Sequence, residues 1–427
     1  MIEISSNQKI RGVVRVPGDK SISHRGLILG ALADGESVLK NLGTSHDVVS
    51  TLSMLKQLGC EISRNGRQIT LQGRGSRGFI EPAKPLFCGN SGTSARLMAG
   101  VLAGQPIFTV LTGDHSLVRR PMSRVVEPLI KMGADIRGRQ NHSRLPLAIS
   151  GGNLKAVEHK LSIASAQVKT ALLLAGLRTS GTTVVTEPAQ SRDHTERLFQ
   201  WLHLPFQKEG LTCRISSAGI PAFSLTIPGD FSSAAYFLAL GAIHPDAKIE
   251  IQNVNLNPTR TGFLSILQAM GAKIQVETVA HTPEPVGHIR VETSALKNLH
   301  VPESFIPNLI DELPLLAVAA TQAEGTLVVH NASELRVKES DRIHTIVTEL
   351  RKMGAAVREF SDGFEVTGPT KLKEARVKTY GDHRIAMSLA VAALMAEGTT
   401  QLLGDRWVQI SYPAFFEDLF RVTEDTG

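Results

Sequence analysis

Six short polar segments hold the side chains that could do chemistry: GDKSISHR (18–25), GNSGTSAR (89–96), SAQVK (165–169), GDFSS (229–233), IDELP (310–314) and GDHR (381–384). Each stands just before an alanine- and leucine-rich run, so its Ser, Asp and Gly fall where helix N-caps are wanted. A helix start leaves backbone N–H groups unpaired and carries the positive end of the helix dipole, which makes it a natural anion site. Lys20, Arg25, Arg96, Lys169 and Arg384 stand in or beside these segments. Anion binding at several helix starts is therefore expected, against the plainer reading of capping plus solvated charge. Two more basic groups stand out, RRPMSR (119–124) and RVKESDR (336–342). If helical, Arg120 with Arg124 and Lys338 with Arg342 put like charges on one face, which is unfavourable unless an anion or acid offsets it. In the second group Glu339 and Asp341 could do so.

The elements that must position these segments repeat. A helix-length apolar run, a turn and a β-branched run recur six times, with the turn at Gly35, Gly104, Gly181, Ala247, Gly325 and Gly398. Strong helix formers make the run, glycine ends it where a positive φ is often needed, and the β-branched run makes a strand. A second helix–Gly–strand pattern follows in MLKQLGCEI (54–62), PLIKMGADI (128–136), ILQAMGAKI (266–274) and ELRKMGAAV (349–357). Six units of about 70 residues fill the chain and predict an α/β repeat architecture. VPGDKS (16–21) is echoed half a chain later by IPGDFS (227–232), which predicts two similar domains of three units each.

Composition narrows the function. The chain has 427 residues, 42% hydrophobic and 5% aromatic, with a net charge of +6. It is long enough for more than one core. Too few aromatic residues accompany the basic ones for a single-stranded nucleic-acid platform. No GK[ST] follows the glycines of 89–96, no GxGxxG follows a strand, and no HExxH or metal-spaced His/Cys set occurs, so neither metal nor cofactor is expected. His24 and His383 are read as structural. Cys60, Cys88 and Cys213 form no CxxC pair, and Cys88 is expected to be a half-buried filler. No signal-like or membrane-length apolar stretch appears, and 313–320 and 385–396 read as buried helices. A cytoplasmic protein with acidic partners is expected, with no nucleic-acid or membrane partner.

PGDKSISHR (17–25), LFCGNSGTSARL (86–97), RRPMSR (119–124), ASAQVKTALL (164–173), SRDHTE (191–196), IDELP (310–314), RVKESDR (336–342) and GDHRIAMSLA (381–390), in that order, resemble the enolpyruvyl transferase family in its shikimate-type branch. The resemblance covers essentially the whole chain. It implies an α/β fold of two similar domains, each of three βαβαββ units in an inside-out α/β barrel. One domain would take 1–15 plus 229–427 and the other 16–228, with a hinge near the two PGD segments and the active site in the cleft between them. It implies transfer of the enolpyruvyl group of phosphoenolpyruvate to the 5-hydroxyl of shikimate 3-phosphate, releasing phosphate through a tetrahedral intermediate, in chorismate and aromatic amino-acid biosynthesis.

The same resemblance implies site residues. Lys20, Ser21, Arg25, Ser165, Gln167, Arg192, Asp311 and Lys338 would hold shikimate 3-phosphate. Lys20, Asn90, Gly92, Arg120, Gln167, Arg342 and Arg384 would hold phosphoenolpyruvate. The reaction protonates C3 of one substrate while deprotonating a hydroxyl of the other, so an acid and a base must flank the reacting centre. Asp311 is the candidate base, and Glu339, aided by Lys20, the candidate for the C3 proton. Glyphosate is expected to compete with phosphoenolpyruvate. Ile410 stands where enteric and plant relatives carry Lys, and Arg192 and His194 occupy a region where those relatives place a Tyr. Two alternatives remain open at this point: the sister activity on a UDP-linked amino sugar, whose loop Cys segment is missing here, and a non-catalytic anion-binding repeat protein.

Overall fold

The computed structural model describes residues 1–6 and 9–423. Two compact units emerge: Gly18–Ile227 with Thr282–Glu284, and Met1–Pro17 with Pro228–His281 and Pro285–Gly427.

The unit Gly18–Ile227 holds three four-stranded sheets of one topology. Their orders are Ser224–Thr226, Glu36–Lys40, Gln68–Gln72, Glu61–Asn65; then Leu86–Phe87, Phe108–Thr112, Arg144–Ser150, Asp135–Gly138; then Glu158–Lys160, Thr182–Thr186, Thr212–Ser216, Phe206–Glu209. In each, the first pair is parallel and the other two pairs are antiparallel. A parallel pair needs a crossover, supplied by the helices Gly92–Ala103 and Ala166–Gly176 in the second and third sheets. In the first sheet the helix Lys20–Leu32 precedes Glu36–Lys40, and the parallel partner comes from the far end of the segment. Each repeat thus reads βαβαββ. Alternating burial, as in Arg144–Ser150, shows one face of the sheet turned to the core.

The other unit follows the same plan, with strands borrowed from the N-terminus. Ile10–Val14 pairs parallel with Ala247–Asn255, which continues antiparallel through Val286–Glu292 to Lys273–Ala280. Ile2–Ser5 completes the sheet of Thr399–Leu403 and Arg376–Lys378. In the third sheet, Gly325–Val329, Phe364–Gly368 and Ala356–Glu359 are antiparallel, and bridges from Lys297 and His300 stand at the parallel position. None of these sheets closes into a barrel among the described residues.

Helices fill the centre of each unit. Phe231–Ile243, Leu313–Ala320 and His383–Leu394 bury every residue, as largely apolar helices in a core do. In the unit Gly18–Ile227 small residues let helices approach closely: a Cβ on Gly100 would stand 2.2 Å from the carbonyl oxygen of Ala171 in the neighbouring helix. The expected turn glycines 35, 181, 325 and 398 take positive φ, whereas Gly104 ends its helix at φ −95°. Cys88 is fully rather than half buried. Burial pushes the thiols of Cys60, Cys88 and Cys213 up to about 12. Among the described residues, no helix is long and apolar enough to cross a membrane.

Candidate active site

The polar segments cap helices as their composition dictates. Asp19, Ser91, Ser165, Asp230 and Asp382 each accept a hydrogen bond from a backbone N–H of the following turn. The start at Glu312 differs, because its side chain makes no cap bond and joins a charge cluster instead.

In the unit Gly18–Ile227, several predicted residues gather at three neighbouring helix starts. Lys20 Nζ lies 3.1 Å from Asp47 Oδ2. Arg25 is buried; its Nε donates to Thr195 Oγ1 at 2.7 Å, Nη2 to Thr170 Oγ1 at 2.9 Å and Nη1 to the Ser21 carbonyl at 3.0 Å. Burial lowers the Arg25 pKa to about 10, although Glu196 and Asp19 favour its charge and Arg192 opposes it. Arg120 Nη2 donates to Asn90 Oδ1 at 2.6 Å, and Asn90 Nδ2 donates to Asp114 Oδ2 at 2.7 Å. Gln167 accepts from Arg96 Nη1 at 2.6 Å and donates to Thr93 Oγ1 at 2.9 Å, so it ties two helix starts together.

The other unit builds a denser cluster. Arg342 is 2% exposed. Its Nε donates to Asp382 Oδ2 at 2.8 Å, its Nη2 to Glu339 Oε2 at 2.6 Å and its Nη1 to Asp311 Oδ1 at 3.3 Å. Arg384 Nη2 is 3.5 Å from Asp311 Oδ2, and its Nη1 is 3.2 Å from Glu312 Oε1. Burial works against both charges. Asp382, Glu339 and Asp311 outweigh it at Arg342, and Asp311 and Glu312 at Arg384, so both guanidinium pKa values rise. Ser232 Oγ donates to Glu312 and accepts from Arg260 Nη2 at 2.5 Å. The result is a set of carboxylates and guanidinium forks held in fixed orientation, able to grip planar anions and to exchange protons.

A model of the family "EPSP synthase (3-phosphoshikimate 1-carboxyvinyltransferase)" matches residues 4–419. The 3-phosphoshikimate 1-carboxyvinyltransferase of Bacillus cereus (strain 03BB102) is 47% identical over 420 residues, covering 98% of both chains. The chain belongs to the EPSP synthase family. The 3-phosphoshikimate 1-carboxyvinyltransferase of Bacillus thuringiensis (strain Al Hakam) is equally similar at 47% over 98% of each chain. The solved EPSP synthase of Acinetobacter baumannii superposes with a TM-score of 0.89 at 38% identity, covering 98% of this chain and 97% of that one. The enolpyruvyl transferase NikO from Streptomyces tendae shares the fold, with a TM-score of 0.79 at 17% identity over 99% of this chain and 97% of that one.

Within the EPSP synthase fold, some expectations need correction. Lys169 is no anion-binding cation: it is fully buried, 2.5 Å from Glu187 and 2.6 Å from Glu196. Arg120 and Arg124 do not share a helical face, because Arg120 has extended backbone and the helix begins at Ser123. Lys338 likewise precedes the helix that starts at Arg342, and it pairs with Glu334 at 2.8 Å. Asp341 caps that helix and binds Arg336, so of the two expected acids only Glu339 pairs with Arg342. His24 is structural as expected: its Nδ1 shares a bond of 2.8 Å with Thr51, and burial, with Lys20 and Arg25, holds its pKa well below the usual value. His194 is buried on Glu284 at 2.7 Å. Ile410 is half-buried at the end of the 3-10 turn Asp405–Ile410. Sequence reasoning gave no site role to Asp47, Thr170, Thr195, Ser232, Arg260, Glu312 or Asp382. Asp47 had a signal, since Ser45 and Asp47 open a helix; Thr170, Thr195, Ser232, Glu312 and Asp382 stand in the quoted segments, but their roles show only through contacts, as does Arg260 altogether.

Proposed function

We propose that this enzyme transfers the enolpyruvyl group of phosphoenolpyruvate to the 5-hydroxyl of shikimate 3-phosphate, releasing phosphate, in aromatic amino-acid biosynthesis. The observation that carries the reading is the unequal chemistry of the two clusters. One unit offers Arg25, Arg96 and Arg120 with hydroxyl and amide contacts, and Lys20 beside Asp47. The other sets carboxylates directly against Arg342 and Arg384. Two substrates, each bearing a phosphate and a carboxylate, need the first; opposed proton movements need the second.

In this account the half-sites converge in a cleft between the units, which the domain division near the two PGD segments would allow. Lys20, Ser21, Arg25, Ser165, Gln167, Arg192, Asp311 and Lys338 hold shikimate 3-phosphate. Lys20, Asn90, Gly92, Gln167, Arg120, Arg342 and Arg384 hold phosphoenolpyruvate. Asp311 takes the proton of the attacking hydroxyl, and Glu339 with Lys20 handles the C3 proton. The enzyme acts as a cytoplasmic monomer without metal or cofactor; its three buried free thiols suit a reducing compartment. Phosphate release from phosphoenolpyruvate tests the function: turnover is expected with shikimate 3-phosphate and not with a UDP-linked amino sugar. The opposite preference, or salt-sensitive nucleic-acid binding without turnover, would reject it.

Gly92 gives a prediction on selectivity. A Cβ there would stand 2.8 Å from Arg96 Nη1, the flexible tip that holds Gln167. Arg96 must shift, which narrows the space beside the helix start. Glyphosate is longer than phosphoenolpyruvate, so Gly92→Ala is expected to raise the glyphosate inhibition constant roughly tenfold more than the phosphoenolpyruvate KM. Equal changes in the two constants would refute the argument.

A further inference from the structure

We infer that the buried ion cluster Lys169–Glu196–Glu187 is a positioning device for Arg25. The step from Arg25 to shikimate 3-phosphate rests on the function proposed above.

Lys169 lies on the helix Ala166–Gly176 and Glu196 on the helix His194–Trp201. Their salt bridge of 2.6 Å joins the two helices, and Glu187 takes the same ammonium at 2.5 Å. One residue along each helix stand Thr170 and Thr195, with hydroxyls 2.6 Å apart. These hydroxyls receive Arg25 Nη2 and Nε. The ion pair and the hydroxyl pair therefore clamp the same two helices side by side. A hydroxyl rotates freely, so it can hold a guanidinium in one place only if the helix spacing is fixed by something stronger. The third bond of Arg25, to the Ser21 carbonyl, lies within its own helix and does not fix it against the other two. Arg25 has five donors, so these three bonds leave capacity on its terminal nitrogens.

A buried ion cluster is by itself weak grounds for stability. A buried ion triad can often be replaced by apolar groups with little change in stability. What an apolar core could not supply is direction: one ammonium orients two carboxylates. Glu196 also faces Lys208 at 3.8 Å and the Cys213 thiol at 4.0 Å, and Glu187 accepts from Ser191, so the carboxylates are held from several sides. Glu196 further favours the charge of Arg25, which burial disfavours.

The test removes the charges together, so that none is stranded: Lys169→Met with Glu187→Gln and Glu196→Gln. The triple variant is expected to raise the KM for shikimate 3-phosphate about tenfold, with the phosphoenolpyruvate KM and kcat within about twofold of the native values. Thr195→Val acts on the same guanidinium, so its effect should shrink sharply in the triple background; multiplicative effects would overturn the inference. An unchanged shikimate 3-phosphate KM in a natively folded triple variant would overturn it too. If the triple variant does not fold, the Thr195→Val and Glu196→Gln cycle decides in the same way. A readout without substrate separates this inference from the proposed function. The Arg25 Nε–H resonance should be protected from solvent exchange in the native chain and lose protection when the cluster, or Glu196 alone, is neutralised. Unchanged protection would overturn the positioning role, whereas failure of the native chain to turn over shikimate 3-phosphate would count against the proposed function alone.

Discussion

Asp311→Asn is expected to lower kcat about a thousandfold, within the range that positioned general bases supply. The Asp311 carboxylate faces two guanidinium groups, with Oδ1 3.3 Å from Arg342 Nη1 and Oδ2 3.5 Å from Arg384 Nη2. These contacts fix its plane. Asparagine keeps the shape and one acceptor but cannot take a proton, so substrate binding should suffer far less than turnover. Glu339→Gln, which leaves an acceptor for Arg342 Nη2, is expected to cost about a hundredfold at the proton step on carbon. Steady-state phosphate release gives kcat and KM, with thermal unfolding as the control for folding. If both variants kept kcat within about twofold of the native value, the acid–base assignment would fail.

Arg342→Met should damage the fold, costing about 3–5 kcal/mol. Methionine matches much of the volume but removes the guanidinium contacts of Asp382, Glu339 and Asp311. Asp382 is fully buried and also caps the helix His383–Leu394 by accepting from the Arg384 N–H at 2.9 Å. Without the guanidinium, that carboxylate keeps this bond and one from Ser340 at 3.1 Å. Two acceptor contacts do not compensate a buried anion. The melting temperature of the ligand-free protein is expected to fall by roughly 10 °C. Arg342→Lys restores the charge but not the planar fork and should fall between the two. An unchanged melting temperature in the methionine variant would show that the cluster has no such role in stability.

The parts of the fold that follow from local chemistry were legible in the residues. Apolar runs ended by Gly35, Gly181, Gly325 and Gly398 form the helix–turn–strand units, and Asp19, Ser91, Ser165, Asp230 and Asp382 cap helices because their side chains reach the next turn. Pairings among charges were less legible. Spacing suggested that Lys338 and Arg342 share a helical face, but Asp341 captures the N-cap and starts a new helix between them. Glu334, outside the segment considered, then becomes the partner of Lys338. Lys169 sits in SAQVK beside Gln167 and reads like its neighbours; only burial and two distant glutamates reveal its different use. Glu312, in IDELP, carried no assigned role and joins Ser232 and Arg384. In each case tertiary contacts, which no local pattern encodes, decide which of several nearby acids a cation meets.

The most direct test is a crystal structure of the protein with shikimate 3-phosphate and a non-reacting phosphoenolpyruvate analogue. Lys20 and Arg120 from one unit, and Lys338, Arg342 and Arg384 from the other, should all lie within hydrogen-bonding distance of this single ligand pair. Ligands held by one unit alone, with the second set of cations turned elsewhere, would contradict the account.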